Sequence, residues 1–158
     1  MAGRAKDETL LADPLNLEIL RRMRADPRQP VAKLARAIGM SAPAVAERIL
    51  RLEDAGIIRG VRLELDPAAM GYPVALFVRV RPAPGQLSKI VDLARSLPEV
   101  SECHRITGED CFLMKVHIRA LDDLDTFLDR FLLYGQTTTS ILQSSPVPAR
   151  GPPLPEAL

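Results

Sequence analysis

Arg48 and Arg51 are the side chains whose type and spacing best suit binding chemistry. Three positions apart on a helix, two guanidinium groups come to neighbouring positions on one side, where each can bond a base edge or a phosphate. The residues just ahead of them, Ser41, Ala42, Pro43 and Ala44, are small, so a helix that begins there lets its backbone approach a partner closely. Glu47 lies on the same side and precedes Arg51 by four positions, the spacing of an ordinary helical ion pair. The pattern therefore fits either a contact surface or a solvated face that carries its own salt bridge.

The elements needed to position these residues are legible nearby. Ser41 is a natural N-cap, and Pro43 falls in the first turn, where no amide donor is required. Val45, Ile49 and Leu52 recur at i, i+4 and i+7, which predicts a helix over 42–55 with one buried stripe, ended by Gly56. Upstream, residues 31–38 predict a helix burying Val31, Leu34, Ala35 and Ile38, with Gly39 as its left-handed stop. Asp13 and Pro14 predict the start of a helix over 14–25, with Leu17, Leu20 and Met23 on one face and two prolines in 26–30 beyond it. After Gly56, residues 58–65 have strand composition and carry Arg59 and Arg62, a short basic ribbon.

Charge follows the same division. The whole chain of 158 residues carries a net +1, but residues 15–62 hold ten Arg or Lys against five Asp or Glu, whereas residues 67–158 hold nine against ten. The cationic excess lies where the helix pair lies, a modest footprint for an anionic partner. No stretch reaches the roughly 18 apolar residues of a membrane span. The first residues lack an apolar signal core, so the expected location is the cytoplasm. Cys103 and Cys111 with His104 could form a metal corner, but the spacing matches no metal pattern and two buried strand thiols are the simpler expectation, so no metal or cofactor is assigned. Neither a Ser/His/Asp set nor a phosphate-cradling glycine loop is present, and no catalytic residue is assigned.

Residues 1–13 read as a flexible arm, 14–65 as a winged helix-turn-helix unit, and 66–73, with two prolines and a glycine, as a linker. From residue 74 the predicted elements alternate: strand 74–80, helix 86–97, strand 100–106, turn 107–110, strand 111–118, helix 122–134 and strand 136–144. The order βαββαβ is that of a ferredoxin-like sandwich, with two helices on one sheet face. The other face carries apolar residues and needs a cover. The fold class is thus α+β, with a ferredoxin-like unit at 74–147. Residues 146–158 contain five prolines and are expected to be disordered, a tail from about residue 148.

Taken together, LNLEILRRMRADPRQPVAKLARAIGMSAPAVAERILRLEDAGIIRGVRLELDPAAMGYP resembles the amino-terminal half of Lrp/AsnC (feast/famine) transcription regulators. SECHRITGEDCFLMKV resembles the central signature of their carboxy-terminal, RAM-type domain. The resemblance implies a winged helix-turn-helix regulator that reads a pseudo-palindromic duplex, with Arg48 and Arg51 as main contacts, Lys33 and Arg36 on phosphates, and Arg59 of the basic ribbon also at the DNA. It implies dimers formed across the sheets, with recognition helices about 34 Å apart, and assembly into octamers or other higher forms.

It further implies a small effector, usually an amino acid, held near the loop between the second and third strands: Thr107, Gly108, Glu109 and Asp110, flanked by His104 and Ile106. Gly108 lets backbone amides approach a carboxylate, and Glu109 or Asp110 can accept an ammonium group, although Gly-Glu-Asp is also normal turn composition. Thr137 and Thr139 could line the same pocket or serve as ordinary strand formers. Two departures stand out. Many members carry an aromatic residue and then an aspartate where this chain has Asp110 and Cys111, and Leu50 stands where members often carry a polar or basic residue. Two alternatives compete. One is a DNA-architectural protein without an effector. The other is an enzyme resembling the siroheme decarboxylases, which need more histidines than His104 and His117.

Overall fold

The computed structural model describes residues 9–156. It divides into two compact units, one running up to Leu63 and rejoined by the chain from Ala149, the other spanning Glu64–Pro148.

The first unit contains α1 (Pro14–Ala25), α2 (Val31–Ile38) and α3 (Ala42–Asp54). Asp13 caps α1 by accepting from the Leu15 amide at 2.8 Å, and Ser41 Oγ caps α3 from the Ala44 amide at 3.4 Å. Gly39 ends α2 at φ 71°, a conformation that costs glycine little, and Met40 N bonds back to Ala35 O at 2.9 Å. The three helices share a core of Ile19, Leu20, Leu34, Ala35, Val45 and Leu52. Each large aliphatic side chain withdrawn from water here contributes about 1.5–3 kcal/mol. Val31, expected inside, is exposed at the first position of α2, although it shares a face with Leu34 and Ala35.

Both ends of the chain differ from the sequence expectation. Residues 9–12 are helical, and Leu10 and Leu11 pack against the core, so this end of the expected arm is anchored by apolar burial; the rest of the arm lies outside the described residues. At the other end, Leu154 packs against the same core, and Arg24 donates to the carbonyl of Pro152 at 2.8 Å. The proline-rich tail is docked there. Residues 58–65 form no strand. Their alternation survives, with Val61, Leu63 and Leu65 exposed, but a strand needs a hydrogen-bonded neighbour, and none stands beside them among the described residues.

The second unit contains β1 (Val74–Pro82), α4 (Leu87–Ser96), β2 (Val100–Arg105), β3 (Phe112–Ile118), α5 (Asp123–Asp129) and β4 (Gly135–Ile141). The sheet order is β2-β3-β1-β4, and every neighbouring pair is antiparallel. Leu76, Val78 and Val80 of β1 and Phe112, Met114, Val116 and Ile118 of β3 point to the helix-covered face, where they meet Ile90, Phe127 and Phe131. The helix expected over 122–134 stops at Asp129 and continues as turns, which still bury Phe131 beside Phe127, with ring centroids 5.5 Å apart. Gly135 opens β4 where a Cβ would lie 2.3 Å from the Arg81 carbonyl oxygen. The Cys111 thiol lies just before β3, half-buried, and Cys103 is exposed on β2, so the two do not form the buried strand pair expected of them.

Candidate nucleic-acid interface and ligand loop

The outer face of α3 presents Ser41, Pro43, Glu47, Leu50 and Arg51 to solvent, with Ala42 and Ala44 half-buried between them. Val45 and Leu52 on the opposite stripe have no exposure, so the core fixes the rotation of the helix and thereby which side chains face outward. Lys33 and Arg36 on α2 and Arg59 beyond α3 are exposed. None of these three cations makes an ion pair among the described residues.

Arg48 departs from expectation. Three positions along a helix is a rotation of about 300°, so Arg48 sits off the axis of Arg51 and leans toward α1. There its Nη1 meets Asp13 Oδ2 at 2.5 Å and Asn16 Oδ1 at 2.8 Å. Asn16 is 2% exposed, and its own amide donates to Leu10 O at 2.9 Å. A buried amide oxygen and a capping carboxylate both need a donor, and Arg48 supplies it. The Arg48 guanidinium holds the Asp13 carboxyl below the usual carboxylate range, against partial desolvation, which pushes it the other way. Arg48 is therefore paired within the fold, on Asp13 and Asn16, and not turned outward beside Arg51. Arg51 stays outward, paired with Glu47 while both are more than 60% exposed. A pair so hydrated is weak and readily exchanged for another acceptor.

In the second unit, the loop between β2 and β3 is closed by Ile106 N donating to Cys111 O at 2.9 Å. Gly108 sits at φ 111°. Two arginines that sequence reasoning had not assigned to the loop, Arg79 and Arg81 of β1, reach it. Arg81 pairs with Glu109, and Asp110 lies 3.7 Å from Arg81 and 3.9 Å from Arg79. The clue was the run Val78-Arg79-Val80-Arg81, since period-two alternation places both arginines on the face opposite two core valines. His104 is exposed and pairs with Glu102 at 3.1 Å, and Ile106 is half-buried.

Register corrects the assignment of the threonines. Thr139 stands opposite Val78 and Thr137 opposite Val80, both on the helix-covered face, whereas Thr138 stands opposite Arg79 and Gln136 opposite Arg81. Directly opposed residues share a face, so Thr138 and Gln136 accompany the loop and Thr137 and Thr139 do not. Among the described residues no group of three or more His, Cys, Asp or Glu is placed to hold a metal, and no helix is long and apolar enough to cross a membrane.

Residues 13–59 match a winged helix-turn-helix DNA-binding domain, and residues 75–152 match the Lrp/AsnC ligand binding domain. The HTH-type transcriptional regulator LrpC of Bacillus subtilis is 30% identical over 132 residues, which cover 84% of this chain and 92% of that protein. The chain belongs to the Lrp/AsnC family of transcriptional regulators. The solved structure of B. subtilis LrpC superposes with a TM-score of 0.81 at 29% identity, covering 87% of this chain and 98% of that one. A feast or famine regulatory protein from M. tuberculosis complexed with L-methionine superposes at 0.82 and 26% identity, covering 90% and 99%. Within the Lrp/AsnC plan, α2 and α3 are the helix-turn-helix pair, and the antiparallel sheet unit is the ligand-binding domain.

Proposed function

We propose that this regulator reads DNA through the outer face of α3, with Arg51 as its main base contact and Lys33, Arg36 and Arg59 on phosphates. The observation that carries this reading is the fixed rotation of α3: Val45 and Leu52 are fully buried, which leaves Ser41, Pro43, Glu47 and Arg51 outward behind a small-residue start. It acts by binding and not by catalysis, in the cytoplasm. It works as a dimer or higher assembly, with two recognition helices on a pseudo-palindromic site.

The ligand-binding unit takes an amino acid or related metabolite at the loop 107–110. Arg79 and Arg81 offer cations for its carboxylate, and Asp110 offers an acceptor for its ammonium group. The M. tuberculosis relative solved with L-methionine supports an amino-acid ligand. Two measurements test the whole reading. At one salt concentration, the DNA upstream of the encoding gene should bind more tightly than random DNA of equal length; equal affinities would sink sequence-specific reading. In a thermal-shift screen of the twenty amino acids, a ligand at 100 times its Kd should add about 2.7 kcal/mol of stability; no shift with any of them would remove the amino-acid assignment.

A further inference from the structure

The tail that sequence composition marks as disordered is instead built into the DNA-binding unit. Arg24, in the last turn of α1, donates to the carbonyls of Pro152 and Gly151, at 2.8 and 3.5 Å. Leu154 packs against the helical core, where Leu11, Leu20, Ile57 and Ile58 wall the concavity that receives residues 149–155. Prolines at 152, 153 and 155 restrict the free chain, so docking this segment costs less conformational entropy than docking an ordinary one.

Docking brings Arg150 to a specific place. Residues 149–151 and residues 59–62 line one concavity of about 870 Å³, which holds Arg59, Arg62 and Arg150 and no acidic side chain. All three arginines are exposed, and none makes an ion pair among the described residues. The position of this cluster is set by α3. Ile57 N and Ile58 N both bond back to Leu52 O, at 3.0 and 3.1 Å, so Arg59 emerges directly past the last turn of the recognition helix. Phosphates flank the groove that holds such a helix. Three uncompensated guanidinium groups at its end have an obvious anionic partner there.

We propose that the docked tail completes a phosphate-binding patch: Arg150, beside Arg59 and Arg62, contacts the DNA backbone flanking the groove. The segment 58–65, which forms no strand, thus shares the task of a wing with the end of the chain. This inference rests on the DNA-binding reading above. The test uses the full chain on a duplex of random sequence, titrated across salt concentrations. Arg150→Ala should weaken binding roughly three- to tenfold at 0.1 M salt and lower the slope of log K against log salt by about 0.9, the signature of one lost phosphate contact. Arg150→Lys should restore most of both. Leu154→Asp, which undocks the tail but keeps Arg150, should reproduce the Arg150→Ala loss. Wild-type protein that binds no duplex would defeat the DNA-binding reading itself. If wild type binds and Arg150→Ala matches it in affinity and slope, the patch alone is wrong. A loss with Arg150→Ala but none with Leu154→Asp would overturn the docked arrangement.

Discussion

Arg48 on the recognition helix donates to Asp13, the cap of the first helix, across 35 positions of sequence. The same nitrogen bonds the oxygen of buried Asn16. One side chain thus joins the start of α1 to the middle of α3 and sets the angle at which the outer face of α3 is offered. On the proposed DNA-binding reading, its effect on binding would be indirect, through the placing of Arg51.

Arg48→Ala should therefore destabilise the DNA-binding unit. It strands the Asn16 oxygen in a buried site, which costs about 1–3 kcal/mol. Arg48→Lys recovers the charge, but a flexible, strongly hydrated ammonium replaces the planar guanidinium, and it should fall between. Chemical denaturation of the full chain reads this. Equal stability of all three proteins would show that Arg48 is free in solution.

Asp13→Asn separates the cap from the charge. Asparagine caps a helix as well as aspartate does, so the helix start survives while the ion pair is lost. In the wild type the folded Asp13 pKa is depressed, chiefly by Arg48. Its stabilisation is therefore fully present above the ordinary carboxylate value and is lost as pH falls through the folded value. Denaturation midpoints followed from neutral to acidic pH should fall less steeply in Asp13→Asn. Parallel curves would contradict the pairing.

Arg51→Ala should behave in the opposite way. Its pair with Glu47 is highly exposed, worth about 0.2–0.5 kcal/mol at this helical spacing, so Tm should hold within a degree or two. Specific DNA binding should be lost. A variant that still retards its target as wild type does would remove Arg51 from the interface.

These two arginines show where sequence stops being informative. The bounds of α3 were legible because its cap, its apolar stripe and its glycine stop are all local signals. The partner of Arg48 is distant in sequence, and only packing of α1 against α3 brings it near. The same limit applies in the sheet unit. Alternation told that successive threonines of β4 face opposite ways, but not which way, since the pairing of Val78 with Thr139 decides it. Residues 58–65 carried a strand pattern without a strand, because composition does not supply a hydrogen-bonding neighbour. The tail misled for a related reason: five prolines argue against a core of its own but not against resting on another.

Thr138→Val and Thr139→Val make a matched test of the sheet face. Thr138 lies beside Arg79 on the open face, and Thr139 lies beside Val78 over the core. If the ligand occupies the loop and the open face, Thr138→Val should weaken the ligand-induced thermal shift while Thr139→Val leaves it intact. The reverse outcome would place the ligand on the helix side. Asp110→Asn extends the test, because it keeps the shape of the loop and removes the charge that would hold an ammonium group. It should cut affinity for an amino acid more than for the matching carboxylic acid without the amine, as isothermal titration would read.

His117 lies on the open face opposite Ala75, half-buried, with its Nδ1 enclosed and without a partner among the described residues. Desolvation lowers its pKa, Lys115 lowers it further, and Glu102 opposes both. A histidine whose folded pKa lies below its ordinary 6.5 is harder to protonate folded than unfolded. Its neutral form is thus tolerated at full stability above 6.5, and stability declines as pH falls through 6.5 toward the folded value. Replacing it with asparagine, which does not titrate, should flatten that part of the stability curve in thermal melts from pH 7.5 to 5. If the open sheet face is covered by a second copy, burial deepens and the decline steepens with protein concentration. Melts at two concentrations separate the effect of the single chain from that of its assembly. A wild-type curve that stays level across this range would show that His117 is as hydrated folded as unfolded.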